Sequence, residues 1–445
     1  MIRHRRRVRT AIVAVAVALP AALATCSRSA EAPKTPPTAL RAYAGDGQVG
    51  LAGWAVNVRP AVHVSDSTGH AVAGAAVTFA VTGGGGSATR LTDTTDANGL
   101  AQVGSWVLGA TPGVNAMTAS VAAPGLVASQ TTFTDTGVAA SYTIQLQYYG
   151  NYKPTAAESA AFTYAVTRWQ QMVYRHVAST PLNDTADACG AGEPAVSQTI
   201  SDLLILASFD SIDGPGKTLA VSGPCFIRTS GTGAGLTVMG VMRFDTADVP
   251  SLVASGQLNA VVLHEMDHVL GFGTLWTLSA PFPAVSCLQR PSNPPGTLQD
   301  TYFSCAGRSQ NAVAQFDSAG GLAYTGSGQP YGGQVVPVEN CANSPYVYPK
   351  CGAGTVNGHW RTTVFGNELM VGFLPSHPAL SAVSLGSLQD LGYTVNYAAA
   401  DPYSHAFAAA PAAGGARVFL GDDIHHGPLY GVDPAGRVTL VRVRQ

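Results

Sequence analysis

His264 and His268 stand four residues apart in the run His264-Glu265-Met266-Asp267-His268, with a glutamate directly after the first histidine. Positions i and i+4 of a helix share a face, so both imidazoles can reach one metal ion about 2 Å from each ring nitrogen. Zinc in such a site lowers the pKa of a bound water toward neutrality, and the neighbouring Glu265 carboxylate can take the proton as hydroxide attacks a peptide carbonyl. The pattern suits hydrolysis, with His264 and His268 as metal ligands and Glu265 as general base. Two protein ligands are too few, because a catalytic zinc takes three and keeps a fourth position open.

Elements must hold these residues in place. Leu258-Asn259-Ala260-Val261-Val262-Leu263 is helix-compatible and apolar enough to be buried, and the helix that continues through the motif stops at Gly271-Phe272-Gly273. Upstream, a strand from Tyr142 to Gln147 leads through Pro154 into a second helix, opened by the capping box Thr155-Ala156-Ala157-Glu158. Phe162, Val166, Trp169, Met172 and Val173 fall near one face of that helix and read as core. Ile200 to Ser208 and Val238 to Phe244 read as buried strands. Earlier still, Val62-His63-Val64, Ala76 to Val81 and Ala101-Gln102-Val103 are short β-rich runs separated by Ser67-Thr68-Gly69, Gly83 to Gly86 and Asp96-Ala97-Asn98-Gly99. The fold class expected is multidomain: an all-β sandwich followed by an α+β domain that carries the metal motif.

The chain has 445 residues, 11% of them charged, with a formal net charge of -2. No basic stretch follows the first ten residues, so nucleic acid is excluded as a partner on electrostatic grounds. Arg3, His4, Arg5, Arg6, Arg7 and Arg9 precede the apolar run Ala11 to Leu19, the pattern of a signal peptide too short to span a bilayer comfortably. Ala22-Leu23-Ala24 offers an ordinary cleavage site, whereas Leu23-Ala24-Thr25-Cys26 resembles a bacterial lipobox. With Cys26 lipidated, six of the seven cysteines remain for an oxidising compartment. The short separations predict Cys189–Cys225, Cys287–Cys305 and Cys341–Cys351. The expected location is outside the cytoplasm, lipid-anchored at the envelope through Cys26 or secreted. Domain boundaries follow: a signal peptide at 1–26, a tether at 27–37, a β module at 38–137, the metal-bearing domain at 138–400, and a tail at 401–445 in which β structure is one reading.

Asp66-Ser67-Thr68-Gly69, Val72-Ala73-Gly74-Ala75, Thr95-Asp96-Ala97-Asn98-Gly99 and Trp106-Val107-Leu108-Gly109 resemble the bacterial Ig-like modules of invasin and intimin type, over about residues 38–137. The resemblance implies a spacer or an adhesion module that contacts a surface partner.

A second resemblance decides the third ligand. The motif continues as H-E-x-x-H-x-x-G, and in the usual metzincin pattern a histidine stands three residues after that glycine. Thr274 occupies that position here. Far downstream lie Gly358-His359-Trp360-Arg361 and Gly366-Asn367-Glu368-Leu369-Met370. With Asp213-Gly214-Pro215-Gly216, Gly240 to Asp245, Val336 to Asn340 and Leu388 to Tyr393, these resemble the leishmanolysin family of metzincins over about residues 140–400. That resemblance implies an exported zinc metalloendopeptidase acting on protein or peptide substrates. It makes His359 the third zinc ligand beside His264 and His268, Glu265 the general base, and Met370 the methionine-turn residue beneath the metal. It also implies a pro-segment cysteine that blocks zinc, but six pairable cysteines and a β module in the pro-segment's place argue against that switch here.

Two readings compete with this one. In the first, the chain is a surface adhesion protein whose metal domain is an inert scaffold; the presence of Glu265 and three histidines speaks against it. In the second, Glu368 is the third ligand, as in thermolysin-like proteases; Gly271 and the block from His359 to Met370 weaken it. Asp422-Asp423 and His425-His426 could bind metal but read as a solvated Gly/Pro-rich tail. His377 and His405 read as surface groups, and His176 as a complement to a helix dipole. Asp202 and Asp390 are left as structural or metal-supporting groups, and no loop has EF-hand spacing.

Overall fold

The computed structural model describes residues 36–121, 130–278, 285–289, 302–305, 309–319, 335–339, 355–375, 377–403 and 418–443. The signal peptide, Cys26, His405 and the Cys341–Cys351 pair lie outside these residues. The described residues between 39 and 138 form two packed sheets and a two-stranded ribbon, Ser87–Thr89 with Ser105–Val107. One has three strands, in the order Ala39–Ala44, Ala61–Ser65, Leu100–Gln102; the other has five, in the order Val49–Leu51, Gln130–Val138, Gly113–Val121, Ala76–Gly83, Thr92–Thr94. Alternation explains the packing: in Gly113–Val121, Asn115, Met117, Ala119 and Val121 are buried and the residues between them are not. Met117, Ala119 and Val121 share one core with Val62, Val64, Phe79, Trp106 and Phe133. The expected turns close it, Asp96 accepting the Asn98 and Leu100 amides at 2.8 and 3.0 Å.

The second body is built on a six-stranded sheet. We label its strands β1 (Ile144–Tyr148), β2 (Leu203–Asp210), β3 (Ala220–Arg228), β4 (Thr237–Asp245), β5 (Leu429–Val432) and β6 (Val438–Arg442), in the spatial order β1-β2-β4-β3-β5-β6. β1, β2 and β4 run parallel, β3 is antiparallel to β4, and β5 is parallel to β3. β2 is apolar at almost every position because both faces are covered. Leu203, Ile205, Ala207 and Phe209 enter the larger core, and Leu204 and Leu206 a smaller one around Cys189 and Cys225.

Helices α1 (Ala156–Met172) and α2 (Leu258–Leu270) contribute to the larger core. The capping box of α1 is complete: Thr155 accepts from the Glu158 amide and Glu158 from the Thr155 amide. Val173 lies beyond the helix as its C-cap, and Val166 is only half-buried. The C-terminal region is no appendage, since β5 and β6 extend the sheet past β3.

The two bodies meet along a polar and aromatic seam. The Asn57 amide donates to the Val395 carbonyl at 3.0 Å and accepts from the Tyr397 N–H at 3.1 Å. Tyr174 Oη donates to the Val49 carbonyl at 3.0 Å, and Trp54 packs against the larger core.

Candidate metal centre

Every residue of α2 from Val261 to Leu270 is buried, which an apolar sequence on all sides of a helix dictates. The helix is pinned from α1, where Trp169 Nε1 donates to the Leu263 carbonyl at 3.0 Å. His264, Glu265 and His268 are thereby carried into the interior with no exposure. His359 arrives from the opposite side, on the turn at residues 355–360, and is equally buried. Gly273 permits that approach. It has φ +73°, and a Cβ there would lie 2.3 Å from the Gly358 carbonyl oxygen.

The three rings are oriented by backbone carbonyls. His264 Nδ1 meets the Leu369 oxygen at 2.8 Å, His268 Nδ1 the Phe272 oxygen at 2.9 Å, and His359 Nδ1 the Thr355 oxygen at 3.2 Å. A carbonyl only accepts, so each Nδ1 carries a proton, and in the neutral ring each Nε2 presents a lone pair. The Nε2 atoms converge: His264 and His268 are 3.0 Å apart, and each is 3.1 Å from His359. A tetrahedral ion bound at about 2.0–2.1 Å would space them about 3.3–3.4 Å apart, so the cluster fits such an ion after a small expansion. Three inward lone pairs in a buried pocket repel one another unless a cation lies between them.

A fourth group faces the same point. Asp423, fully buried, brings Oδ2 to 3.2 Å from His359 Nε2 and 3.4 Å from His264 Nε2. His264, His268, His359 and Asp423 offer ligand atoms within 4.8 Å of one another, a set that could hold a metal ion. Their electrostatics are coupled. Burial pulls His264 and His268 below the ordinary imidazole range. Burial acts the same way on His359, but the Asp423 carboxylate outweighs it and pushes that ring up. Burial would raise Asp423, yet the charge of His359 and contacts from His264 hold its carboxyl well below the usual range.

Glu265 sits beside this set. Its Oε2 and its own carbonyl oxygen lie 2.6 and 2.8 Å from Ser222 Oγ, so the serine hydroxyl anchors the glutamate from β3. Burial first, and the Asp423 charge second, push the Glu265 carboxyl well above its ordinary value. Oε1 has no hydrogen-bond partner among the described residues.

The other residues singled out from sequence fall into place. Glu368 is not at the centre. It accepts from the Met370 N–H, from the Ser381 N–H and Oγ at 3.0 and 2.8 Å, and from Ser384 Oγ at 2.6 Å. Those bonds fix the turn in which Met370 is buried and whose Leu369 carbonyl orients His264. Thr274 donates to the His268 carbonyl at 2.8 Å and is no ligand. Asp390 accepts the Asn311 and Ala312 amides at 2.8 and 3.1 Å and so caps the helix Asn311–Ser318. Asp202 takes the Thr143 and Val177 amides at 2.9 and 2.8 Å. His176 lies past the end of α1 with Nδ1 at 2.8 Å from Asp202 Oδ1, so its expected role on the helix dipole gives way to a direct contact with that side chain. His377 is exposed.

The reading of residues 422–426 as a solvated tail is corrected. Asp423 is buried at the centre, and His425 is buried with Nε2 at 2.9 Å from the Cys189 carbonyl oxygen; only His426, paired with Asp422 at 2.9 Å, is exposed. Sequence distance hid this. Asp423 stands 64 residues past His359 in no ligand spacing, and only the apolar run Val418-Phe419-Leu420 before Gly421 signals a segment that packs. The disulfides Cys189–Cys225 and Cys287–Cys305 are present as expected.

No protein-family profile matches the chain, and no curated protein does. Among solved structures, the D00–D0 domain of intimin is similar at 19% identity, over 23% of this chain and 48% of that one, with a TM-score of 0.19. Invasin, described as a bacterial integrin-binding protein, is 27% identical over 23% of this chain and 19% of its own, with a TM-score of 0.18. A C-terminal intimin fragment in complex with the translocated intimin receptor is 24% identical over 25% of this chain and 43% of its own, also at 0.18. The chain thus spans less than half the length of each, and the likeness carries no argument about activity. Among the described residues no helix is long and apolar enough to cross a membrane.

Proposed function

We propose that the chain is a zinc-dependent metalloendopeptidase of the leishmanolysin-like type. The observation that carries the reading is the convergence of three imidazole Nε2 atoms whose Nδ1 protons are committed to backbone carbonyls, next to a buried glutamate on the same helix. An all-nitrogen triad suits zinc, with a carboxylate as the most that a fourth protein group adds. When bound, zinc would polarise the scissile carbonyl and lower the pKa of the attacking water.

The chain's own residues supply the rest. His264, His268 and His359 would hold the ion. Glu265 would take a proton from water and pass it to the departing amide nitrogen as the C–N bond breaks. Ser222 keeps the carboxylate aimed, and Glu368 keeps the Leu369 carbonyl on His264. An inert scaffold would have no need of a buried glutamate oriented in this way, which is why the adhesion reading ranks second. The β module contributes no residue to the centre and serves on this reading as a spacer or as a contact for a surface partner.

Metal stoichiometry tests the proposal. One zinc per chain is expected in the purified protein and substantially less in His264→Ala, His268→Ala and His359→Ala. A protein that binds no zinc, or binds it equally after all three substitutions, would sink it.

A further inference from the structure

We propose that Asp423 is a fourth protein ligand of the metal and that the C-terminal segment carrying it, Val418–Val432, holds the centre in a closed, latent form. The inference rests on the metal-centre reading above and adds its regulation.

The carboxylate has no other employment. Neither oxygen of Asp423 finds a hydrogen-bond donor with sound geometry among the described residues, and Oδ2 lies 3.2 and 3.4 Å from the Nε2 atoms of His359 and His264. Those nitrogens carry lone pairs, because their Nδ1 atoms hold the protons. A buried carboxylate facing two lone pairs is unfavourable until a cation joins them, either a proton on His359 or a metal ion bound by all three groups. Three histidines and an aspartate then complete four-coordination by protein alone. That is the arrangement of a closed site, whereas catalysis needs one position left for water.

The segment is placed by an extended set of contacts. Phe419 pairs in register with Phe373, and their rings lie 5.3 Å apart. The Leu219 N–H donates to the Leu420 carbonyl at 3.2 Å. Gly421 then turns the chain at φ +90°, in a position where a Cβ would lie 2.5 Å from Thr218 Cα. The Ser222 N–H donates to the Asp423 carbonyl at 2.8 Å, and the His425 N–H donates to the Ser222 carbonyl at 2.8 Å. Beyond it, Tyr430, Gly431 and Val432 continue in parallel register with Phe226, Ile227 and Arg228 of β3.

The consequence follows from Ser222. Its hydroxyl holds the general base while its backbone N–H and C=O are taken by the C-terminal segment. An extended peptide that binds by adding a strand needs those backbone groups on the β3 edge beside the metal. Substrate and segment therefore compete for one edge, and substrate and Asp423 for one metal position. Activity requires that residues around Asp423 leave.

The test uses the full chain reconstituted with cobalt, which reports coordination by its visible spectrum. Wild type, Asp423→Asn and Asp423→Ala are titrated with acetohydroxamate, a small metal-binding probe, and assayed on casein. Wild type should keep its spectrum up to high probe concentration. Asp423→Ala should bind cobalt more weakly, bind the probe, and cleave casein faster. If the closed form holds about nine-tenths or more of the wild-type population, the gain in apparent probe affinity is about tenfold or more. Asp423→Asn, nearly the same in shape, should fall between and guards against a folding artefact. Adding Glu265→Gln to Asp423→Ala should leave probe binding intact and remove cleavage. Cobalt bound by all variants with equal probe affinity and equal cleavage would overturn the latent form while leaving the metal reading standing. Loss of cobalt from a folded Asp423→Asn would also overturn it, making Asp423 a structural ligand. An absence of cobalt from every protein would remove the metal reading and this inference with it.

Discussion

At the residue scale the centre depends on which proton sits where. Replacing Glu265 by glutamine preserves volume and leaves the histidines untouched, so metal binding should persist while cleavage falls by about two to four orders of magnitude, the usual worth of a general base. Casein turnover in the Asp423→Ala background measures this against zinc content in the same sample. Glu368 makes a contrasting case. Its side chain accepts hydrogen bonds from Met370, Ser381 and Ser384 in a fully buried site. Glu368→Ala should therefore cost about 2–4 kcal/mol of stability through the donors it orphans, while one zinc remains bound. Thermal denaturation beside metal analysis separates the two effects. His359→Ala should do the reverse, losing metal with less damage to the apo fold. If Glu368→Ala removed zinc and His359→Ala kept it, the ligand set proposed here would be wrong.

At the scale of elements, what brings α2 and the His359 turn together is a glycine. Gly273→Ala places a methyl group 2.3 Å from the Gly358 oxygen and forces L-residue strain at φ +73°. We expect the His359 turn to move off the helix, with weakened zinc binding and largely retained circular dichroism; unchanged zinc affinity would show that the turn tolerates displacement. A second link is the Cys189–Cys225 disulfide, which closes a separation of 36 residues between the chain before β2 and strand β3. Its removal as Cys189→Ser/Cys225→Ser should lower stability by about 3–4 kcal/mol on the loop-entropy account. Because the Cys189 carbonyl also receives His425, the double variant should loosen the C-terminal segment and raise acetohydroxamate affinity in the cobalt protein.

At the scale of the whole molecule, the two bodies have separate cores but share a seam. A fragment beginning at Ala139 should bind zinc like the full chain, since no ligand comes from the β module. It should melt several degrees lower, having lost the partners of Tyr174, Asn57 and Trp54. The module carries its own pH signature. Burial, ahead of the Asp46 charge, pushes Asp135 up to about 6 from an ordinary 3.8. The folded form thus holds the proton more tightly than the unfolded chain, so this group's contribution to stability falls as pH rises from about 4 to about 6 and is flat above. Melting residues 38–138 at pH 4.5 and pH 7 should show the higher midpoint at the lower pH. Asp135→Asn should remove the difference, and a midpoint that rises with pH in wild type and variant alike would refute the assignment.

How much of this was legible in the residues follows from the range of the forces involved. Local signals were sufficient for α1, whose capping box is a contact three residues long, for α2, whose apolar surround is written in consecutive positions, and for the β run Ala76 to Val81, which lies within the strand Ala76–Gly83. The i, i+4 pair His264 and His268 is equally local, and spacing alone put both rings on one side of a helix. His359 could be named only through a resemblance, and Glu368 stayed open beside it until the serines at 381 and 384 were seen to occupy its carboxylate. Asp423 left no local trace. Its place depends on a β3 edge far earlier in the chain, where Ser222 exchanges backbone bonds with the segment, and on a glycine turn against Thr218. Residue types and local spacing alone say which side chains can bind a metal and move a proton. The tertiary structure decided which of them meet, and that a fourth meets them, because ligand convergence is set by strand pairing and close backbone approach between segments that sequence spacing does not relate.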